Sequence, residues 1–287
     1  MKVAIFIVSY HRPFSQRTLS MLLRRGVTYP IFVIVADDDD TLEQYRGAIT
    51  GAQVVTYNRE KYRQACDIGD CDIRLTMCSQ VRNACFDIAC ERGFTHFAVL
   101  DDDYSSLSIR LSEYTPTRYR VHSAQFAQID GALSACAHLL DSVSRLNCVC
   151  FAQGGDYLGG SFGSRNAIRK SMNFFVFRTD RPMRFVGRLN DDVTANLLEQ
   201  SRGGLCVTIP LLMIDQPETL SSKGGMSEAY VELGGGFIKS MYTVVRFPSC
   251  VRIATLPSKY MRVHHNVLWN LAVPKVISDK WEAFDGE

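Results

Sequence analysis

Short apolar runs alternate along the chain with stretches whose apolar positions recur every three or four residues. Residues 3–8, 31–36 and 54–57 are runs of strand length. Between the first two, residues 15–25 put Leu19, Leu22 and Leu23 on one face of a helix that Gly26 is placed to end. Asp40 or Thr41 is set to cap the next helix, which contains Tyr45. Residues 73–90 predict a helix bearing Arg82, Asn83 and Asp87, with Gly93 behind it. Residues 94–100 predict another buried strand. Strands and helices alternating in such short units predict an α/β fold, with a mostly parallel sheet flanked by helices over the first ~110 residues.

The pattern then changes. Residues 104–125 are polar and aromatic with no clear period. Residues 129–144 predict a helix with Leu133, Ala137, Leu140 and Val143 along one side. Strands are expected at 149–151, 174–177 and 205–209, and a helix at 192–200 before Gly203-Gly204. The glycines at 154–155 and 159–160 fit neither a dinucleotide fingerprint nor a Walker A loop, which counts against redox and NTPase chemistry. Lys223-Gly224-Gly225 and Gly234-Gly235-Gly236 are expected to be loops, one of which could bring Lys223 or Lys239 to a phosphate.

Bulk composition adds bounds. The 287 residues are 46% hydrophobic and 22% charged, ordinary for a chain with a sizeable core. A formal charge of +2 gives no global field, though a local basic face remains open. The ten cysteines show no paired C-x-x-C grid, so they are taken as mostly reduced, buried thiols. The apolar start of the chain runs directly into Ser9-Tyr10-His11-Arg12-Pro13, so it is expected to be the first strand rather than a leader.

The chemistry concentrates at Asp101-Asp102-Asp103, where the 94–100 run ends. Three carboxylates there call for positive charge, and a divalent metal holding a diphosphate is the economical candidate. Asp101 could instead bond a ribose or base, while Asp103 could reach the metal. In the run Asp37–Asp40 one member, taken as Asp38, could read a base or sugar, although capping explains the run equally well. Ser9, Tyr10 and Arg12 end the first strand within reach of the same ligand. Arg82 would face the nucleotide or brace the acids. His264 or His265 could return as a nitrogen ligand. Asp191 or Asp192 could act as general base, or either could be a helix cap.

These residues in this order resemble a GT-A-fold glycosyltransferase. Phe6-Ile7-Val8-Ser9-Tyr10-His11-Arg12-Pro13 and Asp101-Asp102-Asp103-Tyr104 are similar to the phage-encoded, TET-associated members. The resemblance implies an Asp-x-Asp motif at Asp101 and Asp103, with Asp103 on Mn²⁺ or Mg²⁺, a late metal histidine at 264 or 265, and an acceptor-side acid at 191 or 192. It implies a nucleotide-sugar donor, UDP-glucose or a relative, and DNA carrying a hydroxymethylpyrimidine as acceptor. A single domain over 1–287 is expected, with a nucleotide-sugar half at 1–110 and an acceptor half at 111–287. The location expected is the cytoplasm (of the host, if phage-encoded), with no membrane or obligate protein partner. Arg165, Arg169, Lys170, Arg178, Arg181, Arg184 and Arg188 are a candidate phosphate-contacting set. A sugar nucleotidyltransferase, a glycosyltransferase for glycans or lipids, and a non-catalytic binding module are the competing readings.

Overall fold

The computed structural model describes residues 1–65, 77–112, 119–125, 128–153, 171–172, 174–216, 235–256 and 262–272. Four parallel strands occupy the apolar runs of the first 101 residues: β1 (Val3–Val8), β2 (Ile31–Ala36), β3 (Gln53–Tyr57) and β4 (His96–Asp101). Between and beyond them come α1 (Arg17–Arg24), α2 (Leu42–Ala48), α3 (Arg59–Ala65) and α4 (Cys78–Glu91). β1 shows why the sheet needs helices on both faces. Ala4, Phe6 and Val8 enter one core and Ile5 and Ile7 the other, all buried.

The sheet continues through β5 (Ser106–Ser112), β6 (Tyr119–Gln125), β7 (Leu146–Gln153), β8 (Phe175–Arg178) and β9 (Leu205–Asp215). Its order is β3-β2-β1-β4-β8-β7-β9-β5-β6. β8 runs antiparallel to β4 and β7, and β5 antiparallel to β9 and β6, so the far half is mixed. The helices α5 (Ile129–Ser142) and α6 (Asp191–Ser201) belong to this half. A hairpin of β10 (Val251–Leu256) and β11 (Arg262–Val267) stands apart, with α7 (Gly235–Arg246) before it and α8 (Trp269–Ala272) after it. The arrangement is an α/β fold, a central sheet flanked by helices with a C-terminal hairpin region.

Several expectations need correction. The aperiodic 104–125 stretch holds two strands. Both lie toward the sheet edge, where no strict alternation is imposed. β9 passes straight through Pro210, and a register shift against β7 absorbs it. Gly235 and Gly236 begin a helix rather than forming a loop. Leu23 is exposed, lying over Gly51 rather than in the core with Leu19 and Leu22. Thr41 is the N-cap of α2 as expected but makes no side-chain cap bond; Asp39 instead accepts from Thr41 N at 2.8 Å and Thr41 Oγ1 at 2.6 Å. The described cysteines are free, and most are buried.

Candidate active site

Val8 pairs with Asp101, so the loops leaving β1 and β4 start side by side at the C-terminal edge of the sheet. They are tied by Asp102. Its buried carboxylate accepts from Ser9 Oγ at 2.6 Å and Arg12 Nη1 at 2.9 Å. Ser9 also meets Tyr45 Oη at 2.7 Å and receives Gln16 Nε2 at 2.8 Å. On the far side Thr18 Oγ1 donates to the Asp101 carbonyl at 2.6 Å and accepts from Tyr104 N at 2.9 Å. The triplet is thereby fixed by its middle member, which leaves the outer two only partly covered. Asp101 and Asp103 keep 29% and 28% of their side chains exposed, against 5% for Asp102.

The β1 loop is strained where it turns. His11 adopts a left-handed backbone, φ 54°, and its ring stacks on Tyr10 at 3.8 Å. Asp39 accepts from His11 N, and Asp40 lies 2.9 Å from His11 Nε2. Asp38 is paired with Arg59 instead.

The second half of the site is joined to the first by one side chain. Arg82, buried on α4, places Nη1 2.7 Å from Asp191 Oδ2 and Nη2 3.4 Å from Asp101 Oδ1. Its guanidinium carbon lies 5.1 Å and 5.6 Å from the ring centres of Phe175 and Phe185. Asp191 opens α6, and Asn190 before it is left-handed at φ 50°. The Asn190 amide donates to the Lys239 carbonyl at 2.7 Å and Thr243 Oγ1 at 2.9 Å, and lies 3.5 Å from His265 Nδ1. A second tie runs through Gly187, φ 82°, where any Cβ would collide with Tyr242 Oη. That hydroxyl accepts from Arg188 N at 3.1 Å. The acid pair therefore sits between α4 and the α7 region.

Charge does not balance here. Four carboxylates (Asp101, Asp102, Asp103 and Asp191) share two guanidinium groups, Arg12 and Arg82, which leaves an excess of two negative charges. Burial pushes the Asp101 carboxyl up to about 6, against the pull of Arg82 and with the push of Asp103 and Asp191. Burial also raises Asp102, Asp103 and Asp191. For Arg82 burial works against the charged form, but Asp191 and Asp101 outweigh it, so its pKa rises well above the ordinary value.

Two half-exposed carboxylates with a surplus of two charges suit a hard divalent cation. His264 and His265 stack at 4.3 Å on β11 and do not close a three-ligand group with Asp101 and Asp103. Among the described residues the tight His/Asp group is His11, Asp39 and Asp40, which the sequence pattern did not single out as a set. Asp192 differs from Asp191. Its Oδ1 accepts from Val193 N at 2.8 Å, and no described group bonds its other oxygen.

Residues 3–225 match the TET-Associated Glycosyltransferase family. The chain belongs to this family. The family is one of glycosyltransferases. No curated protein matches the chain. Similar solved structures include "GalNAc-T7 with UDP, GalNAc and Mn2+", at 13% identity and TM-score 0.40, covering 86% of this chain and 50% of that one. The chain thus spans about half the length of that protein. Another is 4-diphosphocytidyl-2C-methyl-D-erythritol synthase from Anaerococcus prevotii DSM 20548, at 9% identity and TM-score 0.42, covering 84% and 96%. At such values the likeness says nothing about chemistry. No helix among the described residues is long and apolar enough to cross a membrane.

For this TET-associated glycosyltransferase two of the seven residues of the expected phosphate-contacting set are engaged within the fold. Arg178 is spent on Asp141 and Asp180, and Arg181 on the carbonyls of Leu140, Val143, Ser144 and Leu146 at the end of α5. Charge along a sequence does not reveal which acids and carbonyls the fold will bring to it. Arg165, Arg169, Lys170, Lys223 and the 154–160 glycines lie outside the described residues. Asn83 serves structure: its side chain brackets Phe185, donating to the carbonyl at 2.8 Å and accepting from the amide at 3.0 Å. Tyr45, Thr18 and Thr243 were missed as parts of the site. A helix-face tyrosine or threonine carries no signal of the loop it will meet. Asn190 was legible only as a residue type that tolerates a left-handed turn.

Proposed function

We propose that the enzyme moves a hexose from a uridine diphosphate sugar to the hydroxymethyl oxygen of a modified pyrimidine in DNA. The observation that carries this reading is the Asp101–Arg82–Asp191 chain. One buried guanidinium spans the carboxylate on the donor side and the acid pair on the acceptor side.

Asp101 and Asp103 would hold Mg²⁺ or Mn²⁺, without His264 or His265, which form no three-ligand group with them. The bound cation supplies charge neutralisation for the departing diphosphate. Ser9, Tyr10 and Asp38 line the way to the base and ribose, and Arg12 stays with Asp102 to keep the β1 loop in place. Asp192, whose second oxygen is bonded by no described group, takes the proton as the hydroxymethyl oxygen bonds to the anomeric carbon and the bond to the diphosphate breaks. Asp191 is a positioning residue, held by Arg82 beside that base. In a duplex, the pyrimidine must leave the stack to reach it.

The test is mass spectrometry of hydroxymethylated DNA incubated with enzyme, Mn²⁺ and a panel of nucleotide sugars. A hexose-sized gain on hydroxymethylated but not plain DNA is the expected result. Transfer only to glycan or lipid acceptors would reject the reading.

A further inference from the structure

Between the Gly187 clamp and the acid pair stands an arginine that the fold positions but does not use. Burial alternates along the segment before α6. Met183, Phe185, Gly187 and Leu189 are buried, whereas Arg184 is exposed and Val186 and Arg188 are half-buried. Arg188 lies three residues before Asp191. Its backbone is fixed from both sides. Arg188 N donates to Tyr242 Oη at 3.1 Å, and the Asn190 amide two residues on is bonded to Lys239 and Thr243.

The guanidinium itself is unspent. Nε is shut off from solvent and has no hydrogen-bond partner. Its terminal nitrogens are not enclosed in this way, and no described group bonds them. The nearby acids in sequence are occupied elsewhere: Asp191 holds Arg82, and Asp192 accepts from Val193 N. The other arginines of this region differ. Arg12 and Arg82 each lie between two carboxylates, Arg178 pairs with Asp141 and Asp180, and Arg181 donates to four carbonyls.

An arginine cannot shed this burden by losing its proton, because it stays charged at any pH the fold survives. A buried N–H without an acceptor is a standing cost, and native folds keep few of them. A guanidinium with one side dry and no counter-charge also attracts an anion more strongly than one wholly in water. Its two terminal nitrogens match two oxygens of one phosphate. We infer that Arg188 binds a phosphate group of a substrate at this centre. Two sources share that chemistry: the diphosphate of the donor and a phosphodiester beside the acceptor base. The inference rests on the transfer reaction proposed above and adds a residue to its substrate contacts.

The test titrates two probes separately into the full chain. UDP with Mn²⁺ is followed by calorimetry and a hydroxymethylated duplex by fluorescence anisotropy, for the wild type, Arg188→Gln and Arg188→Lys. Arg188→Gln should weaken one probe by about tenfold or more, the worth of bonds from a charged donor. Arg188→Lys keeps the charge but loses the fork, so its loss should be smaller, about threefold or more. Weaker UDP binding assigns the donor diphosphate. Weaker duplex binding, with a slope of log Kd against log salt reduced by about 0.9, assigns the phosphodiester. Because no bond within the fold is lost, Arg188→Gln should melt no lower than the wild type. Unchanged affinity for both probes overturns the inference, and an early-melting variant with unchanged affinities makes Arg188 structural. If Arg188→Gln does not fold, unchanged affinities in Arg188→Lys overturn it equally. Weakened UDP binding by an enzyme that glycosylates no DNA refutes the acceptor reading alone. Glycosylated DNA with both affinities indifferent to Arg188 refutes this inference alone.

Discussion

At the end of β4, Arg12 and Arg82 each lie between two carboxylates, and the loops are bonded to one another through buried side chains. In the α7–α8 unit a small core packs on α6, and Phe237 and Val245 stand in water. The two regions meet at Asn190 and Asp191. The difference teaches how the fold holds each region: a cluster of buried charges is fixed by side-chain bonds between loops, whereas the apolar unit is fixed by its own small core and leaves Phe237 and Val245 outside it.

The sharpest way to break this comparison is at the junction. Asp192→Asn should lower kcat for hydroxymethylated DNA by roughly 10²–10⁴-fold, the usual worth of a positioned base. Asp191→Asn should cost less, since Asp191 acts through its neighbour. Steady-state transfer assays decide, and the reverse order would exchange the two roles.

Arg82→Met comes next. It strands Asp101 and Asp191 without their shared counter-charge, so unfolding in denaturant should show a loss of about 3–5 kcal/mol. Excess Mn²⁺ should restore part of that loss if the cation settles by Asp101, and a loss indifferent to Mn²⁺ would place the cation elsewhere.

Gly187→Ala tests the clamp between the regions. The site requires φ +82° and leaves no room beside Tyr242 Oη, so a cost of about 1–3 kcal/mol is expected. Hydrogen exchange should quicken in 235–256 more than in β1–β4. Uniform quickening would mean that the two regions are not separately built.

The smallest effect is on pH. Burial holds the Asp101 carboxyl at about 6, above its unfolded value, so the native state binds the extra proton between about pH 4 and 6. Stability of the metal-free protein should therefore fall as pH rises through that window, by on the order of 1 kcal/mol, and Asp101→Asn should flatten the slope. Asp180, held low by its bond from Arg178, acts in the opposite sense at lower pH: it stabilises above its unfolded pKa and loses that contribution as it protonates.

The donor region was legible in sequence because its strands are buried on both faces. Continuous runs such as Val3–Val8 are what a strand covered on both faces requires, and acids at the exit of β4 stand out against them. β5 and β6 were not legible, because strands toward a sheet edge need not alternate. Arg178 and Arg181 were misassigned because a cation's partner is chosen by the fold. Residues 235–272 left a compositional trace in their missing acids, but only the bond from the Asn190 amide to the Lys239 carbonyl shows that α7 lies beside the acid pair. Leu23 shows the limit of periodicity: a residue at the margin of an apolar stripe can cover a glycine instead of entering the core.

The central claim is that the surplus negative charge after β4 receives the cation that accompanies the donor diphosphate. Calorimetric titration of UDP, with and without Mn²⁺, into the wild type and Asp103→Asn tests it most directly. The account predicts tight binding only with Mn²⁺ and at least a tenfold weakening in the variant, about 1.4 kcal/mol or more. UDP affinity that is the same without Mn²⁺, or undiminished in Asp103→Asn, would contradict it.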